Sequence, residues 1–357
     1  MSDLAFQLLR QQLNNNTNKN HANTNNNSLW IVDENLSVND IVAVHSGTDL
    51  LAMTNRCDVS AVLSKKGFKT LLVDFDFSGL EPHSLDAIYY RISKEKAVVH
   101  HIINSAAIYL KPDGLFYLAG YKNEGTKTYI NKAAKYLGEL VEKERGGNAS
   151  MLAAIRPSAI DDRPLDDKNY RQLVSVSDDN TSFVSKPGVY GWNKIDKGSA
   201  FLIEHLGSFT QALDLHPERI ADLGCGYGYL SVMANQQLQA EYIATDNNVA
   251  AVTLCNKNFV SHQLKGQAVL TDCGSEIEGK FDIVLCNPPF HQGFDVDTDL
   301  GLKFLEGAKR LLVKGGSALF VVNSFIPLEK KALGLFSEVS VLANNGSFKL
   351  LSLNISA

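Results

Sequence analysis

The stretch Ile220-Ala221-Asp222-Leu223-Gly224-Cys225-Gly226-Tyr227-Gly228 constrains the fold of this chain more than any other. Its mostly apolar start reads as a buried strand. Three glycines at alternate positions then allow positive φ and let the backbone come close to a ligand. A helical run follows at residues 229–237. Strand, glycine turn and helix in that order open a parallel α/β domain whose ligand lies at the carboxyl ends of the strands. Dinucleotide sites use glycines in the same way, so the glycines alone leave the ligand open.

Two carboxylates narrow the choice. Asp222, just ahead of the glycines, would repel a pyrophosphate but suits a ligand that carries an ammonium and a cationic sulfur. Asp246, with Asn247 beside it, follows the next strand, Tyr242-Ile243-Ala244-Thr245. It stands at the spacing where a carboxylate accepts bonds from ribose hydroxyls. S-adenosylmethionine therefore fits better than NAD, with Asp222, Gly224, Cys225, Gly226, Tyr227, Gly228, Asp246 and Asn247 as its candidate contacts. Asp272, after Ala268-Val269-Leu270-Thr271, is either a contact for the adenine end or a turn carboxylate.

The second chemical signal is Asn287-Pro288-Pro289-Phe290, reached through the strand-like Phe281-Asp282-Ile283-Val284-Leu285-Cys286. Successive prolines fix φ and remove donors, which leaves carbonyls free to accept. An amino group on an aromatic ring offers two N–H donors and a delocalised lone pair. If the Asn287 side-chain oxygen and the Pro288 carbonyl each take one N–H, the nitrogen is held towards an incoming methyl group. Phe290 can stack on the ring. Asn287, Pro288, Pro289 and Phe290 are thus the candidate catalytic residues, with Asn287 also near the cofactor, and Phe290 and His291 the candidate substrate contacts.

Strand-like and helical runs alternate through the rest of the chain, as in an α/β fold with a largely parallel sheet. Strands are expected at residues 29–32, 41–44, 70–73, 87–90 and 115–118, and again at 220–223, 242–245, 281–285 and 318–322. Helices are expected at 94–110, 125–137, 229–237 and 300–312, with turns at 111–114 and 313–316. Residues 339–342 and 348–355, around Asn344-Asn345-Gly346, form a carboxyl-terminal antiparallel hairpin. Leu85-Asp86-Ala87-Ile88 through Gly114-Leu115 parallels Phe281-Asp282-Ile283-Val284 through Gly316-Ser317, which suggests two related domains. At 357 residues two domains are also the natural expectation. The asparagine-rich residues 14–27 bury too little apolar surface to order themselves. The division expected is a flexible segment at 1–28, domains at 29–160 and 186–357, and a linker at 161–185.

A net charge of -5 gives no global attraction to nucleic acid, so an RNA substrate would need a local basic surface. Lys122, Lys127, Lys132 and Lys135 offer one, or are a solvated helix face. Five cysteines without a C-x-x-C pair, the pair His100-His101, and the absence of a basic start and apolar run at the amino terminus read as a cytoplasmic chain with reduced thiols, without a metal site or membrane segment.

Residues 222–228 match motif I of class I methyltransferases, and Asn287 to Phe290 their amino-methylating motif. With His291-Gln292-Gly293, Pro187-Gly188-Val189-Tyr190 and Asp196-Lys197-Gly198-Ser199, the chain resembles the RsmC/RlmG family of ribosomal RNA guanine-N2 methyltransferases. The resemblance is specific from about residue 186 onward. It implies two tandem Rossmann-like domains, the first degenerate and serving RNA docking or support, and the second catalytic. It further implies Gly198 and Ser199 near S-adenosylmethionine and ribosomal RNA, 16S or 23S with 16S favoured, or a ribosomal subunit as partner; the chain itself is expected to be a monomer. In the first half Arg91-Ile92-Ser93-Lys94 stands where the second has Asn287-Pro288-Pro289-Phe290. The residues themselves also admit an adenine-N6 or glutamine-N5 methyltransferase, or an RNA-binding assembly protein.

Overall fold

The computed structural model describes residues 3–19, 27–45, 50–178, 180–212, 216–289, 291–292, 295–296 and 298–356. The chain divides into two compact units, Met1–Tyr170 and Arg171–Ala357.

The first unit begins with helix α1 (Leu4–Lys19), followed by β1 (Ser28–Ile31), α2 (Val38–Val42), β2 (Leu50–Thr54), α3 (Cys57–Lys65), β3 (Lys69–Leu72) and β4 (Leu85–Arg91). Then come α4 (Lys96–Tyr109), β5 (Leu110–Tyr121), α5 (Thr126–Leu137), β6 (Gly138–Arg145) and β7 (Ser150–Pro157). Its sheet runs β3-β2-β1-β4-β5-β7-β6, parallel through β5 and antiparallel at β7 and β6.

The second unit opens with a hairpin of β8 (Val174–Asp178) and β9 (Thr181–Ser185), then α6 (Lys197–Ala212), β10 (Arg219–Leu223), α7 (Tyr229–Asn235), β11 (Glu241–Asp246), α8 (Val249–Ser261) and β12 (Gly266–Leu270). It continues with β13 (Phe281–Cys286), the short pair β14 (His291–Gln292) and β15 (Asp295–Val296), α9 (Thr298–Leu311), β16 (Leu312–Asn323), α10 (Leu328–Ala332), β17 (Glu338–Asn344) and β18 (Phe348–Asn354). Its sheet order, β12-β11-β10-β13-β16-β18-β17, repeats that of the first unit strand for strand. Apolar residues of α6, α7 and α8 cover one face of this sheet, and those of α9 and α10 the other. The chain leaves β10 towards β11 on one side and returns to β13 on the other. That reversal opens a crevice at the carboxyl ends of β10 and β13, where such sheets bind ligands.

Several expectations are corrected. Residues 4–19 of the segment expected to be flexible are helical, because Phe6, Leu9 and Leu13 lie on one face and bury against the sheet. The expected strand at 41–44 gives way to α2, nucleated by a capping box in which Ser37 and Asp40 bond each other's backbone N–H. Residues 111–114 and 313–316 belong to β5 and β16; irregular register beside each accommodates the bend expected there. The expected linker 161–185 is divided between the units. Residues 165–170 fasten to the first unit, where Tyr170 is buried, donates to Asp74 (2.6 Å) and stacks on His101 (4.5 Å). His100 Nδ1–H donates to the Asp166 carbonyl at 2.7 Å, so the histidine pair closes this segment.

Candidate functional site

The glycine turn leaves β10 with positive φ at Gly224, Gly226 and Gly228 (75°, 55° and 91°). A Cβ on Gly228 would lie 2.8 Å from Cys255 Sγ, so packing against α8 reinforces the choice of glycine. At Gly226 a Cβ would meet nothing within 4 Å, so there the conformation alone demands glycine and the space over the turn stays open. The turn is pinned to β11: the Gly224 and Cys225 N–H groups donate to the Thr245 carbonyl at 2.8 and 2.9 Å. Gly226 N–H donates to Asp246 Oδ2 (3.0 Å), and Asp246 Oδ1 accepts from Asn248 N–H (2.9 Å).

Asp222 is completely buried at the end of β10. Its Oδ2 accepts from Ser231 Oγ at 2.7 Å, while Oδ1 is buried with no hydrogen-bond partner. Burial pushes this carboxyl up to about 7, against the Ser231 hydrogen bonds that lower it, with Asp246 adding a smaller upward push. Cys225 is buried against Cys255, and its thiol is held well above the usual range by that neighbour and by burial. Asn258 on α8 donates to the Tyr227 carbonyl at 2.7 Å, fixing the far end of the turn. Asp272 heads a tight turn after β12, and its carboxylate pairs with Lys303 of α9.

Asn287 follows β13, half-buried, with Pro288 buried and Pro289 exposed. Its Nδ2 donates to Asp196 Oδ1 at 2.7 Å and to Ser199 Oγ at 2.8 Å. Asp196 precedes α6 and caps it: Oδ1 accepts from Ser199 N–H (2.8 Å) and the Asp196 carbonyl from Ala200 N–H (3.0 Å). Tyr190, its ring largely exposed, donates its hydroxyl to Asp196 Oδ2 at 3.1 Å. Gly198 lies on the first turn of α6 against Phe348, where a Cβ would come within 3.1 Å of the ring. Phe290 lies outside the described residues, as does the side chain of His291, whose backbone begins β14.

The structure thus gathers residues 222–228, Asp246, Asn247 and Asn287 with Gly198 and Ser199 around the crevice of the second unit, and leaves Asp272 in an ion pair at its margin. Asp196 stood in a motif quoted from sequence but was given no role there, and Ser231 and Asn258 were missed altogether. An aspartate three residues ahead of Ser199 at a helix start was the available signal for the first. Nothing local marks the other two.

The first unit lacks this arrangement. Trp30 and Ile31 pair with Tyr89 and Tyr90, as Asp222 and Leu223 pair with Leu285 and Cys286. That register puts Trp30 in the place of Asp222 and Arg91 in the place of Asn287. Arg91 is buried and donates to Asp3 Oδ2 (2.8 Å) and to both Glu124 oxygens (2.7 Å each). Glu34, in the place of Gly226, pairs with Arg56. At these positions the first unit thus carries a buried indole and two ion-paired side chains in place of the acid, the amide and the glycine.

Residues 180–352 match the family model for the methyltransferase small domain. The ribosomal RNA small subunit methyltransferase C of Shewanella loihica is 23% identical over 87% of this chain and 95% of its own length. That of Haemophilus influenzae is 32% identical over 49% of this chain and 51% of its own. Among solved structures, the Thermus thermophilus 16S rRNA N2 G1207 methyltransferase (RsmC), in complex with S-adenosylmethionine and guanosine, aligns over 99% of this chain and 92% of its own. The TM-score is 0.80 at 22% identity, a likeness of fold.

The open glycine turn, the orphaned Asp222 oxygen and the Asp246 carboxylate suit the ammonium and ribose of S-adenosylmethionine. With the matched domain, they define the second unit as a class I S-adenosylmethionine-dependent methyltransferase. Residues 180–352 carry the methyltransferase small domain, and the chain is similar over most of its length to ribosomal RNA small subunit methyltransferase C.

Proposed function

We propose that this enzyme methylates the exocyclic N2 amine of a guanine in the 16S RNA of the small ribosomal subunit, acting as a cytoplasmic monomer. The observation that carries the reading is Asn287-Pro288-Pro289 at the end of β13, beside the strand whose glycine turn forms the cofactor site. Asn287 Oδ1 and the Pro288 carbonyl each accept one N–H of the flat amine, and Phe290 and His291 contact the base. Bound S-adenosylmethionine supplies the electrophilic methyl group. Accepting both N–H bonds draws electron density onto the nitrogen and orients it, so the chain supplies alignment and charge stabilisation. The methylated nitrogen is cationic and acidic, and its proton leaves without a dedicated base. Gly198 and Ser199, with residues 222–228, Asp246 and Asn247, hold the cofactor; Asp272 contributes at the adenine end through its pair with Lys303. Guanine and 16S RNA are favoured by the names of the relatives over most of the chain. Among the described residues no helix is long and apolar enough to cross a membrane.

Transfer of tritiated methyl to small subunits, large subunits, naked rRNA, DNA and a release factor tests this. N2-methylguanine in 16S RNA is the expected product; label on adenine or glutamine overturns the proposal. Asn287→Ala is expected to abolish turnover while cofactor affinity, read by calorimetry, stays within about tenfold, or about 1.4 kcal/mol.

A further inference from the structure

We propose that Asp196 and Ser199 are positioning residues that lock the side-chain amide of Asn287, so that only its oxygen faces the substrate. The inference rests on the amine-methylating reading above and extends it to residues outside the motif. An Asn amide has two N–H donors and one carbonyl acceptor, and rotation by half a turn exchanges the two ends. An ionised carboxylate can only accept, so Asp196 Oδ1 at 2.7 Å requires the nitrogen end to face it. Ser199 Oγ, 2.8 Å away, takes the second N–H. Both donors are thereby spent inside the protein, and the site presents an acceptor that fits an amine N–H and rejects a ring nitrogen or carbonyl. Asp196 is itself held: Ser199 N–H donates to the same Oδ1, the Ala200 N–H to its carbonyl, and the Tyr190 hydroxyl to Oδ2.

The first unit carries the same device with different cargo. Asp3 caps α1, its Oδ1 accepting from Phe6 N–H (2.9 Å) and its carbonyl from Gln7 N–H (2.9 Å), and its Oδ2 accepts from Arg91. In both units the cap aspartate of the first large helix grips the residue at the carboxyl end of the fourth sheet strand. The grip is built into the duplicated fold. Only in the second unit does it hold an amide.

Four variants separate locking from capping. Asp196→Ser keeps a cap for α6 but its hydroxyl is too short to hold Asn287; Asp196→Ala loses both roles; Asp196→Asn keeps an oxygen acceptor in place; Ser199→Ala removes one of the two acceptors. In methyl transfer to small subunits, the Ser and Ala variants at 196 should lose about 30-fold or more in kcat with KM values within about threefold. Asp196→Asn should recover to within about fivefold of wild type, and Ser199→Ala should fall between. Thermal melting should show Asp196→Ser folded. Independently of activity, the Asn287 side-chain amide protons, followed by 15N NMR, should exchange slowly in the wild type and rapidly in Asp196→Ser. Wild-type kcat in Asp196→Ser, equal damage in Asp196→Asn and Asp196→Ala, or rapid exchange in the wild type would overturn the lock. Failure of the wild type to methylate rRNA would instead overturn the functional reading, and the NMR result would still decide the lock.

Discussion

Asp222 is the residue at which burial and binding oppose each other. Its carboxyl is raised from 3.8 to about 7 with one oxygen unpartnered. A carboxyl raised in the folded state favours folding in its neutral form. That contribution is complete below about pH 4 and is lost as pH climbs towards 7 and beyond. The shift corresponds to roughly 4 kcal/mol, and Asp222→Asn should remove this decline in denaturation measured between about pH 4 and pH 8. A cationic ligand selects the ionised form, so cofactor affinity should rise with pH through about 7 and binding at pH 6 should release a proton. Calorimetry in buffers of different ionisation heat reads this directly; pH-independent affinity without proton release would contradict the role given to Asp222. The acid and its glycines were legible in sequence because seven consecutive positions, 222 to 228, carry them. The partner Ser231 was not, since a serine on a helix carries no mark of the strand end that it faces.

At the scale of elements, α1 shows how composition can hide order. Asparagines crowd its carboxyl-terminal half, but Phe6, Leu9 and Leu13 recur with helical spacing and are buried. Phe6 stacks on Trp30 at 5.8 Å between ring centres, and Phe68 meets the same indole edge-on at 5.6 Å. Trp30 occupies the position of Asp222, so the aromatic stack is what replaces a charged ligand site in the first unit. Phe6→Ala should cost about 3–5 kcal/mol by the cavity it leaves. Denaturant unfolding of the first unit followed by Trp30 fluorescence would measure it, and a loss below about 1 kcal/mol would mean that α1 adds little to this core. The strand expected at 41–44 failed for a complementary reason: Ile41, Val42 and Val44 are an apolar run, but the Ser37 and Asp40 caps decide the local backbone. The paired motifs of the second unit survived because each is continuous in sequence. The Asp196 to Asn287 contact spans 91 positions, and only the fold brings its ends together.

At the scale of the whole chain, two sheets with one strand order have come to hold opposite contents. In the second unit the carboxyl ends of β10 and β13 carry an open glycine turn, an unpartnered carboxyl oxygen and an amide. In the first, the same places carry Trp30, the Glu34 and Arg56 pair, and a buried Arg91 shared between Asp3 and Glu124. Arg91 is charged, and burial makes breaking its pairs expensive, so a ligand would have to displace a network worth several kcal/mol before it gained a contact. Asp3 and Glu124 are satisfied within that network and offer no vacant charge to an ammonium group. The intact chain should therefore bind one S-adenosylmethionine, at the second unit. Calorimetric titration should give a stoichiometry of one, and Asp246→Ala should remove that single event while leaving the melting of the first unit unchanged. A second binding event surviving Asp246→Ala would show that the first unit takes the ligand after all.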